Sequence, residues 1–284
     1  MSSTTTKRMH MSAYTDNFES QLKTIISNYS NQVLPQNLPQ WVKDLGISSS
    51  NKIVKAERIG SSGYKTDIIV YFDNHKVLKI SAKMSSADYF GNWYSHKRLI
   101  EEFGSDCFQK LTRDCTKWAN NWIKHSNAAL FVGVSICFGK RSGNTSRDFS
   151  EVFSPSDIIK IVAGTGTGNE TANCLYSTSN LPSSIGQFFD ILKPINSSTI
   201  FELSHNFKIA YRPINPMTEG TNRGKCTYTQ FVPFQKLSQP LEVNNLSDLN
   251  ELGDFQVVES NSLNHNRILD SLKKDFNIIV PRKS

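Results

Sequence analysis

Apolar and polar positions alternate most regularly between residues 57 and 84, and this alternation predicts a β-hairpin. The apolar residues have even numbers in both strands: Ile68, Val70, Phe72, Leu78, Ile80 and Ala82. Because side chains alternate between the two faces of a strand, these six residues should share one buried face. The odd-numbered face carries Asp67, Ser81 and Lys83. A turn with an odd number of residues near residues 73–76 would bring these three side chains together at the open end of the hairpin, whereas an even number would separate them.

Apolar residues at three- and four-residue spacing predict helices in four parts of the chain: residues 16–29, 85–103, 108–122 and 266–276. The first helix begins with Asp16 and has Glu19 three residues later, which is the spacing of a capping box. Glu19 could instead lend a carboxylate to a bound metal, but the cap already gives it a structural role and is the preferred interpretation. Residues 1–14 are predicted to be disordered.

The second helix is predicted to begin at a cap on Ser85 or Ser86. The aromatic residues of the second and third helices form stripes, so we expect them in the core rather than stacked on nucleic-acid bases. The basic residues of these helices lie off the stripes, where a solvated helix face is favoured over phosphate contacts: Lys97, Arg98, Lys110, Lys117 and Lys124.

Further strands are predicted at residues 52–58, 129–138 and 277–280. The stretch 129–138 is almost continuously apolar, which is typical of a strand in the centre of a sheet. Residues 208–212 and 227–232 are predicted to form a second hairpin with a long loop. Together these elements indicate an α/β fold with a central mixed β-sheet flanked by helices, organised as one domain over the whole chain.

The composition is that of an ordinary globular protein, with 38% hydrophobic and 20% charged residues in a chain of 284. The formal net charge of +7 and the pI of about 9.1 favour a polyanionic partner. The five cysteines are odd in number and lack CxxC spacing, so the sequence indicates neither a disulfide framework nor a zinc site. We expect reduced thiols in a cytoplasmic protein that binds no membrane, because no apolar stretch approaches the length of a span.

Motifs of several other enzyme classes do not occur in the sequence. No HxH or HExxH pair suggests a histidine–metal nuclease, and no GxSxG motif suggests a serine hydrolase. Residues 157–168 are interpreted as a strand that runs into Gly164, Gly166 and Gly168. Position 169 is asparagine where the dinucleotide fingerprint needs glycine, and the Walker lysine is missing, so nucleotide binding is not favoured.

The acid and the lysine of the first hairpin are the groups that metal-assisted phosphodiester hydrolysis requires. Asp67 could hold a hard cation such as Mg²⁺. Lys83 could orient the attacking water and stabilise charge on the phosphate. An acid and a lysine on neighbouring strands also form ordinary surface ion pairs, and this simpler interpretation is favoured while the two residues are considered alone.

A wider stretch of sequence resembles a known nuclease family. The resemblance lies in the run SGYKTDIIV at residues 62–70, in the short strand that ends Ser81-Ala82-Lys83, and in the Trp-containing helix predicted after it. These features resemble type II restriction endonucleases of the MspI and HinP kind, which belong to the PD-(D/E)XK nuclease superfamily. The resemblance covers about residues 55–100 and is fainter near 205–235. It implies a restriction-endonuclease-like core whose catalytic hairpin spans residues 52–84.

By this resemblance Asp67 is the metal-binding aspartate and Lys83 is the catalytic lysine. Ser81 stands at the superfamily's second acidic position, where it can contribute only a neutral oxygen to the catalytic group. The backbone carbonyl of Ala82 is implied as a further metal ligand. Glu57, just upstream of the hairpin, is the preferred candidate for a second carboxylate, and Mg²⁺ is the implied cofactor.

Two basic loops are candidates for contact with DNA. The first, residues 139–148, contains Lys140 and Arg141. The second, residues 211–226, is the predicted tip of the second hairpin and contains Arg212, Asn222, Arg223 and Lys225. Arginine and lysine can donate to the O6 and N7 atoms of guanine, and asparagine can bind adenine. Either loop could equally be ordinary polar surface.

The sequence therefore predicts a type II restriction endonuclease that hydrolyses double-stranded DNA at a short, G·C-rich palindrome. We expect a monomer or homodimer, and a companion methyltransferase that forms no stable complex with it. One alternative is a repair or junction-resolving nuclease of the same superfamily. Another is a DNA-binding module without catalytic activity, which the serine at position 81 makes plausible.

Overall fold

The computed structural model describes residues 3–59, 64–85, 89–91, 94–140, 143–219, 226–261 and 263–283. Its packing divides the chain into two compact units. Unit 1 comprises residues 1–90 and 155–205, and unit 2 comprises residues 91–154 and 206–284. Each unit combines segments that are distant in sequence. For this reason no single linker marks a boundary along the chain, whose sequence was interpreted as one domain.

Unit 1 contains a five-stranded mixed sheet with helices around it. The strands, in their order across the sheet, are β1 (Ile53–Arg58), β2 (Ile68–Phe72), β3 (Val77–Lys83), β7 (Cys174–Ser177) and β8 (Lys193–Pro194). β3 and β7 run parallel, and the other neighbours run antiparallel. The helices of this unit are α1 (Ser3–Asn28), α2 (Gln40–Asp44), α5 (Asp157–Ala163), α6 (Ile185–Ile191) and α7 (Ser197–Ser204). The predicted α/β class, with a central mixed sheet flanked by helices, is confirmed.

The β2–β3 hairpin has the register that the alternation predicts. Ile68 pairs with Ile80 in the antiparallel ladder. The N–H of Phe72 donates to the carbonyl of Lys76 at 3.0 Å, which leaves residues 73–75 as the turn. The turn therefore has an odd number of residues, and the odd-numbered residues of both strands face the same side.

The even-numbered face of the hairpin is buried, as predicted. Each of its six apolar residues is at most 3% exposed. They share one core with side chains of α1 and α6: Phe18, Leu22, Ile26, Phe188 and Phe189. The opposite face is less polar than expected, because Ile69 and Ser81 are fully buried there. Inner strands of a sheet that is flanked by helices are covered on both faces, which ends strict alternation.

The beginning of α1 differs from the prediction. The helix already starts at Ser3, so it includes residues 3–14, which were predicted to be disordered. Asp16 and Glu19 consequently lie inside the helix, and the capping-box interpretation is wrong. Residues 3–16 contain no glycine or proline that would end a helix. Neither α1 nor any other helix in the described ranges is long and apolar enough to cross a bilayer.

Unit 2 is built around β5 (Val134–Gly139), which is buried along its whole length. β9 (Lys208–Pro213) pairs with β5, and β6 (Ser146–Asp148) pairs with β9, both antiparallel. The remaining elements are α3 (His96–Phe103), α4 (Ser105–Trp122), α8 (Pro216–Glu219), β10 (Gln230–Pro233), β11 (Leu241–Glu242), α9 (Leu246–Leu252), β12 (Gly253–Gln256), α10 (His265–Phe276) and β13 (Ile278–Ile279). The predicted buried strand at residues 129–138 and the helices at 108–122 and 266–276 are confirmed within a few residues.

The helix predicted from Ser85 begins about ten residues later. A short strand, β4 (Tyr89–Gly91), occupies part of this segment. The true cap is Ser95, whose side chain accepts a hydrogen bond from the N–H of Arg98. Aromatic residues suit strands as well as helices, so three- and four-residue spacing alone did not separate the two.

The second predicted hairpin does not form. β10 pairs with β12, whereas β9 pairs with β5 and β6. β9 therefore pairs with strands sixty or more residues earlier in the chain, and β10 pairs with a strand that begins twenty residues after it ends. The segment before Gly164, which was predicted to be a strand, forms the helix α5 instead.

The cysteines are free thiols, as expected. Cys115, Cys137 and Cys174 are buried, and Cys107 and Cys226 are partly buried. Burial raises the pKa of Cys115 and of Cys174, so both thiols stay protonated at neutral pH.

Leu78→Ala should lower the free energy of unfolding by about 2–5 kcal/mol, because it opens a cavity in the core beneath the hairpin. Leu78 is fully buried in that core. Val54→Ala on the edge strand β1 is the matched control, since Val54 is 52% exposed and the change should stay within about 0.5 kcal/mol. Urea unfolding followed by circular dichroism measures both variants, and equal effects would contradict this packing.

Candidate active site

The open end of the β2–β3 hairpin brings Asp67 and Lys83 together. Asp67 directly precedes β2 and donates its N–H to the carbonyl of Ile80 at 2.8 Å, which extends the ladder by one residue. Lys83 is the last residue of β3. Its Nζ lies 3.4 Å from Asp67 Oδ2, and the side chains of Lys83 and Asp67 are only 23% and 16% exposed. The predicted proximity is confirmed, and the pair is more enclosed than an ordinary surface ion pair.

The backbone of Ala82 holds the Asp67 carboxylate in place. The Ala82 N–H donates to Asp67 Oδ2 at 2.7 Å. Lys83 Nζ donates to the Ala82 carbonyl at 3.2 Å and to the same Asp67 oxygen. A carboxylate oxygen and a carbonyl oxygen thus converge on one positive group. Oxygen atoms of these two kinds are the ligands that hard cations prefer.

Ser81 is fully buried beside this pair. Its hydroxyl has no hydrogen-bond partner among the residues that the structure describes, and the same holds for the buried hydroxyl of Thr66. A buried hydroxyl without a partner costs about 1–3 kcal/mol. Two such groups next to Asp67 show that this end of the sheet is not optimised for stability.

The structure does not bring Glu57 to Asp67. Glu57 lies opposite Ile69 on the edge strand β1 and is exposed. Its carboxylate accepts a hydrogen bond from Lys55 Nζ at 2.7 Å, which lowers the pKa of Glu57, and Tyr71 also donates to it. Lys55 and Tyr71 pair with each other on the side of Ile69 nearer the hairpin turn. The preferred candidate for a second carboxylate is therefore turned away from the open end.

Glu19 is the carboxylate whose electrostatic environment includes Asp67. It is 7% exposed on α1 and accepts a hydrogen bond from Arg58 Nε at 2.9 Å. Burial raises the pKa of Glu19, and the charge of Asp67 raises that pKa further. Arg58, which also contacts Asp16, lowers the pKa of Glu19, as does Lys83. Two carboxylates of like charge are thus held in one region with two cations.

The sequence contained a signal for Glu19 that the capping interpretation hid. Leu22 and Ile26 follow Glu19 at helical spacing and are fully buried. An acid that shares the apolar stripe of a helix is an exception that needs a charged partner or a function. Here the partner is Arg58, and the neighbouring charge is Asp67.

These residues fit a hard cation better than a zinc ion. The nearest donors are the carboxylate of Asp67 and the carbonyl of Ala82, and the Glu19 carboxylate is close enough to interact electrostatically with Asp67. All of these donors are oxygen atoms. In the described part of the chain, no three His, Cys, Asp or Glu side chains are grouped so that they could hold a metal ion. Water and substrate would have to supply the other ligands, which suits Mg²⁺, since this ion keeps several waters.

The structure describes two of the predicted DNA-binding residues, Lys140 and Arg212, both in unit 2. Lys140 is partly buried just beyond β5, and Arg212 lies on β9 with its guanidinium 3.9 Å from Cys137 Sγ. Arg141, Asn222, Arg223 and Lys225 lie outside the described residues. The first candidate loop is shorter than predicted, because residues 146–148 form β6.

Arg147, the last basic residue of the first predicted loop, is held by two carboxylates. It donates two hydrogen bonds to Asp114, at 2.9 and 3.1 Å, and also contacts Glu151. A guanidinium bound in this way is not free for a phosphate, so its role is structural.

The glycine-rich segment after α5 binds a carboxylate of its own chain. The Gly168 N–H donates to Glu170 Oε1 at 3.0 Å, and hydrogen bonds from the backbone N–H groups of Glu170 itself and of Gly168 lower the pKa of Glu170. Lys79 Nζ in turn donates to the Gly168 carbonyl at 2.8 Å. The segment therefore resembles an anion-binding turn in sequence, but the anion that its backbone N–H groups bind is the carboxylate of Glu170.

Glu19→Gln should change the pH dependence of stability. The raised pKa means that the folded chain holds this proton more tightly than the unfolded chain, whose pKa is near 4.5. The contribution of Glu19 to the wild-type free energy of unfolding therefore falls as the pH rises from 4.5 through the raised pKa, and the variant lacks this loss. Between pH 4.5 and the raised pKa, Glu19→Gln should therefore gain stability relative to the wild type.

Glu57→Gln is the control of opposite sign. The lowered pKa of Glu57 means that its charged form stabilises the fold. The wild type should therefore gain stability relative to Glu57→Gln as the pH rises to 4.5, and this difference should stay constant above pH 4.5. Urea midpoints between about pH 3 and about pH 8, without divalent cations, measure both variants. Parallel profiles for the two variants would contradict the burial of Glu19 beside Asp67.

Comparison with known proteins gives no relative: no family model matches the chain, and neither the curated proteins nor the solved structures contain a match. The function is therefore inferred from the chain's own residues. The main feature of the site is the enclosed Asp67–Lys83 pair, with the Ala82 backbone bonded to both members and with the Glu19 carboxylate close enough to interact electrostatically with Asp67.

Proposed function

We propose that this protein is a Mg²⁺-dependent endonuclease of the PD-(D/E)XK superfamily that cuts double-stranded DNA as a type II restriction enzyme. The observation that carries the proposal is the arrangement around Asp67 Oδ2, which accepts both the Ala82 N–H and the Lys83 ammonium. An ion pair that served only stability would not need a carbonyl oxygen directed at the same ammonium. Metal-dependent hydrolysis uses all three groups.

The order of elements in unit 1 supports a restriction-endonuclease-like core. The chain runs through α1, the antiparallel strands β1, β2 and β3, and then, after the residues of unit 2, through α5 to β7. β7 pairs with β3 in parallel. This sequence of helix, three strands, helix and parallel strand fits the core that the family resemblance implies, with the hairpin in its centre.

Each residue of the site has a role in this proposal. Asp67, Glu19 and the Ala82 carbonyl would hold the cation, and the Ala82 N–H keeps the Asp67 carboxylate oriented. When bound, Mg²⁺ supplies charge stabilisation at the scissile phosphate and makes a bound water more acidic. Lys83 then donates a hydrogen bond to the attacking water or to a phosphate oxygen, where it balances the developing negative charge.

Glu19 replaces the carboxylate that the superfamily places on the strand. Ser81 offers only a neutral, fully buried hydroxyl at that position. A second anion nonetheless reaches the region of Asp67 from α1, and its pKa is raised by burial and by Asp67. A cation between two carboxylates reduces the repulsion between their negative charges, so the arrangement favours metal binding.

The substrate and partners follow from charge and from the resemblance. A net charge of +7 favours a polyanion, and Lys140, Arg141, Arg212, Asn222, Arg223 and Lys225 are proposed as DNA contacts. A short G·C-rich palindrome as the site, a monomer or homodimer as the active form, and a companion methyltransferase all remain part of the proposal.

A DNA-binding module without catalysis is the second candidate. This candidate is favoured by the small number of metal ligands, since no group of three metal-binding side chains occurs in the described ranges. Repair or junction-resolving nucleases would share the same site and differ only in substrate. The three possibilities give different results on plasmid DNA.

Incubation of a mixed-sequence supercoiled plasmid with the protein and Mg²⁺ separates them. A restriction enzyme gives discrete fragments whose ends share one sequence, and Asp67→Asn should abolish them. A junction nuclease would leave the plasmid intact and cut branched DNA instead. Retained binding without cutting of either substrate would favour the inactive module, and cutting that persists in Asp67→Asn would place the active site elsewhere.

Single-turnover cleavage rates should follow the assigned roles. Lys83→Ala and Asp67→Asn should each lose at least about 100-fold, because each removes a charge from the transition state. Ser81→Ala should stay within a few fold of the wild type, since its hydroxyl bonds to no other described residue. Glu19→Gln should lose far more than its control Glu57→Gln. Complete loss in Ser81→Ala, or equal rates for the two glutamine variants, would contradict the assignment.

A further inference from the structure

Arg58 connects the two carboxylates of the proposed metal site. It is the last residue of β1 and pairs with Ile68, which directly follows Asp67. The next residue, Ile59, donates its N–H to the carbonyl of Asp67 at 3.0 Å. The backbone at Arg58 is therefore fixed against the backbone at Asp67, while the side chain of Arg58 reaches Glu19 on α1.

The guanidinium of Arg58 holds one oxygen of the Glu19 carboxylate. Its Nε and Nη2 atoms lie 2.9 and 2.8 Å from Glu19 Oε2. The same Nη2 contacts Asp16, which precedes Glu19 by three residues and lies on the same side of α1. Asp16 is exposed and Glu19 is buried. An exposed acid thus anchors the guanidinium, and the guanidinium fixes the buried acid.

This arrangement exceeds what is needed to neutralise one buried carboxylate. A single cation beside Glu19 would be enough for that purpose. Here Asp16, Glu19 and Asp67 supply three negative charges, and Arg58 and Lys83 supply two positive charges. When all five groups are ionised they carry one net negative charge, which a bound cation would balance.

We propose that Arg58 is a positioning residue for the metal site: its guanidinium holds Glu19 at Oε2 and leaves Oε1 for a cation bound by Asp67. This inference rests on the proposed function, because it assigns Glu19 to the metal. A partner of this kind fixes the orientation of a metal ligand, and its loss typically costs about 10–100-fold in metal affinity. Lysine cannot replace arginine here, because an ammonium lacks the planar fork that meets two carboxylates at once.

Mn²⁺ binding to the full-length protein tests the proposal without DNA. The electron paramagnetic resonance signal of free Mn²⁺ measures the affinity, and urea midpoints in EDTA show that each variant is folded. Arg58→Lys keeps the charge and should weaken Mn²⁺ binding about tenfold. In a Glu19→Gln background the same change should have almost no further effect, because Arg58 acts through Glu19.

Arg98→Lys in unit 2 is the matched control. Arg98 Nε donates to Glu102 Oε1 at 2.8 Å, and the side chains of Arg98 and Glu102 are 30% and 9% exposed. The side chains of Arg58 and Glu19 are 33% and 9% exposed. The control therefore alters the same kind of ion pair at the same degree of burial, and it should leave Mn²⁺ affinity unchanged.

The outcomes separate this inference from the proposed function. Loss of Mn²⁺ binding in Asp67→Asn together with wild-type affinity in Arg58→Lys would overturn the role of Arg58 and leave the metal site in place. Tighter binding in Arg58→Lys would overturn it as well, since Arg58 would then compete with the cation for Glu19.

Equal losses from Arg58→Lys in the wild-type and Glu19→Gln backgrounds would contradict an action through Glu19. A loss in Arg98→Lys as large as that in Arg58→Lys would also overturn the assignment. A wild-type protein that binds no Mn²⁺, or binding that Asp67→Asn leaves unchanged, would overturn the proposed metal site and this inference with it.

Discussion

The number of residues in the turn between β2 and β3 is the constraint on which the site depends. Three residues join the strands, so odd-numbered side chains of both strands face the same way. One residue more or fewer would move Lys83 to the buried face and leave Asp67 without its ammonium. The same parity directs six apolar residues into the core. Burial of one face therefore enforces the chemistry of the other.

The electrostatics of the site depend on this register. Asp67 is held by a backbone N–H and an ammonium, and Glu19 reaches the same region from α1 with Arg58 as its partner. Burial and the charge of Asp67 both raise the pKa of Glu19, which means that the folded chain accommodates this second negative charge at a cost. Arg58 offsets part of this cost. In the proposed function a bound cation would offset more of it.

Local patterns explain how much could be predicted from the sequence. The hairpin and the buried strand β5 follow from alternation and from a continuous apolar run, both of which are short-range signals. The partner of β10 could not be predicted, because β12 begins twenty residues after β10 ends and β9 offers an equally good pattern at a similar separation. The start of α3 was missed because aromatic residues suit β4 as well as a helix.

Glu19 shows the same limit within the site. Its spacing from Asp16 is that of a cap, and only the start of α1 at Ser3 removes that interpretation. Its position on the apolar stripe with Leu22 and Ile26 was the signal that could have identified it. Glu57 was preferred because it is close to the hairpin in sequence, yet its bonds to Lys55 and Tyr71 point it towards the turn. Proximity in sequence did not indicate proximity in the site.

The most direct measurement is anomalous scattering from crystals of the protein grown or soaked with Mn²⁺, which replaces Mg²⁺ and is easily located. We predict a peak in contact with the Asp67 carboxylate and the Ala82 carbonyl, on the side of Glu19, and we predict that Asp67→Asn removes it. A peak bound to Glu57, or a site that persists in Asp67→Asn, would contradict this prediction. So would crystals saturated with Mn²⁺ in which Lys83 still bridges Asp67 and Ala82 and no ion is bound there.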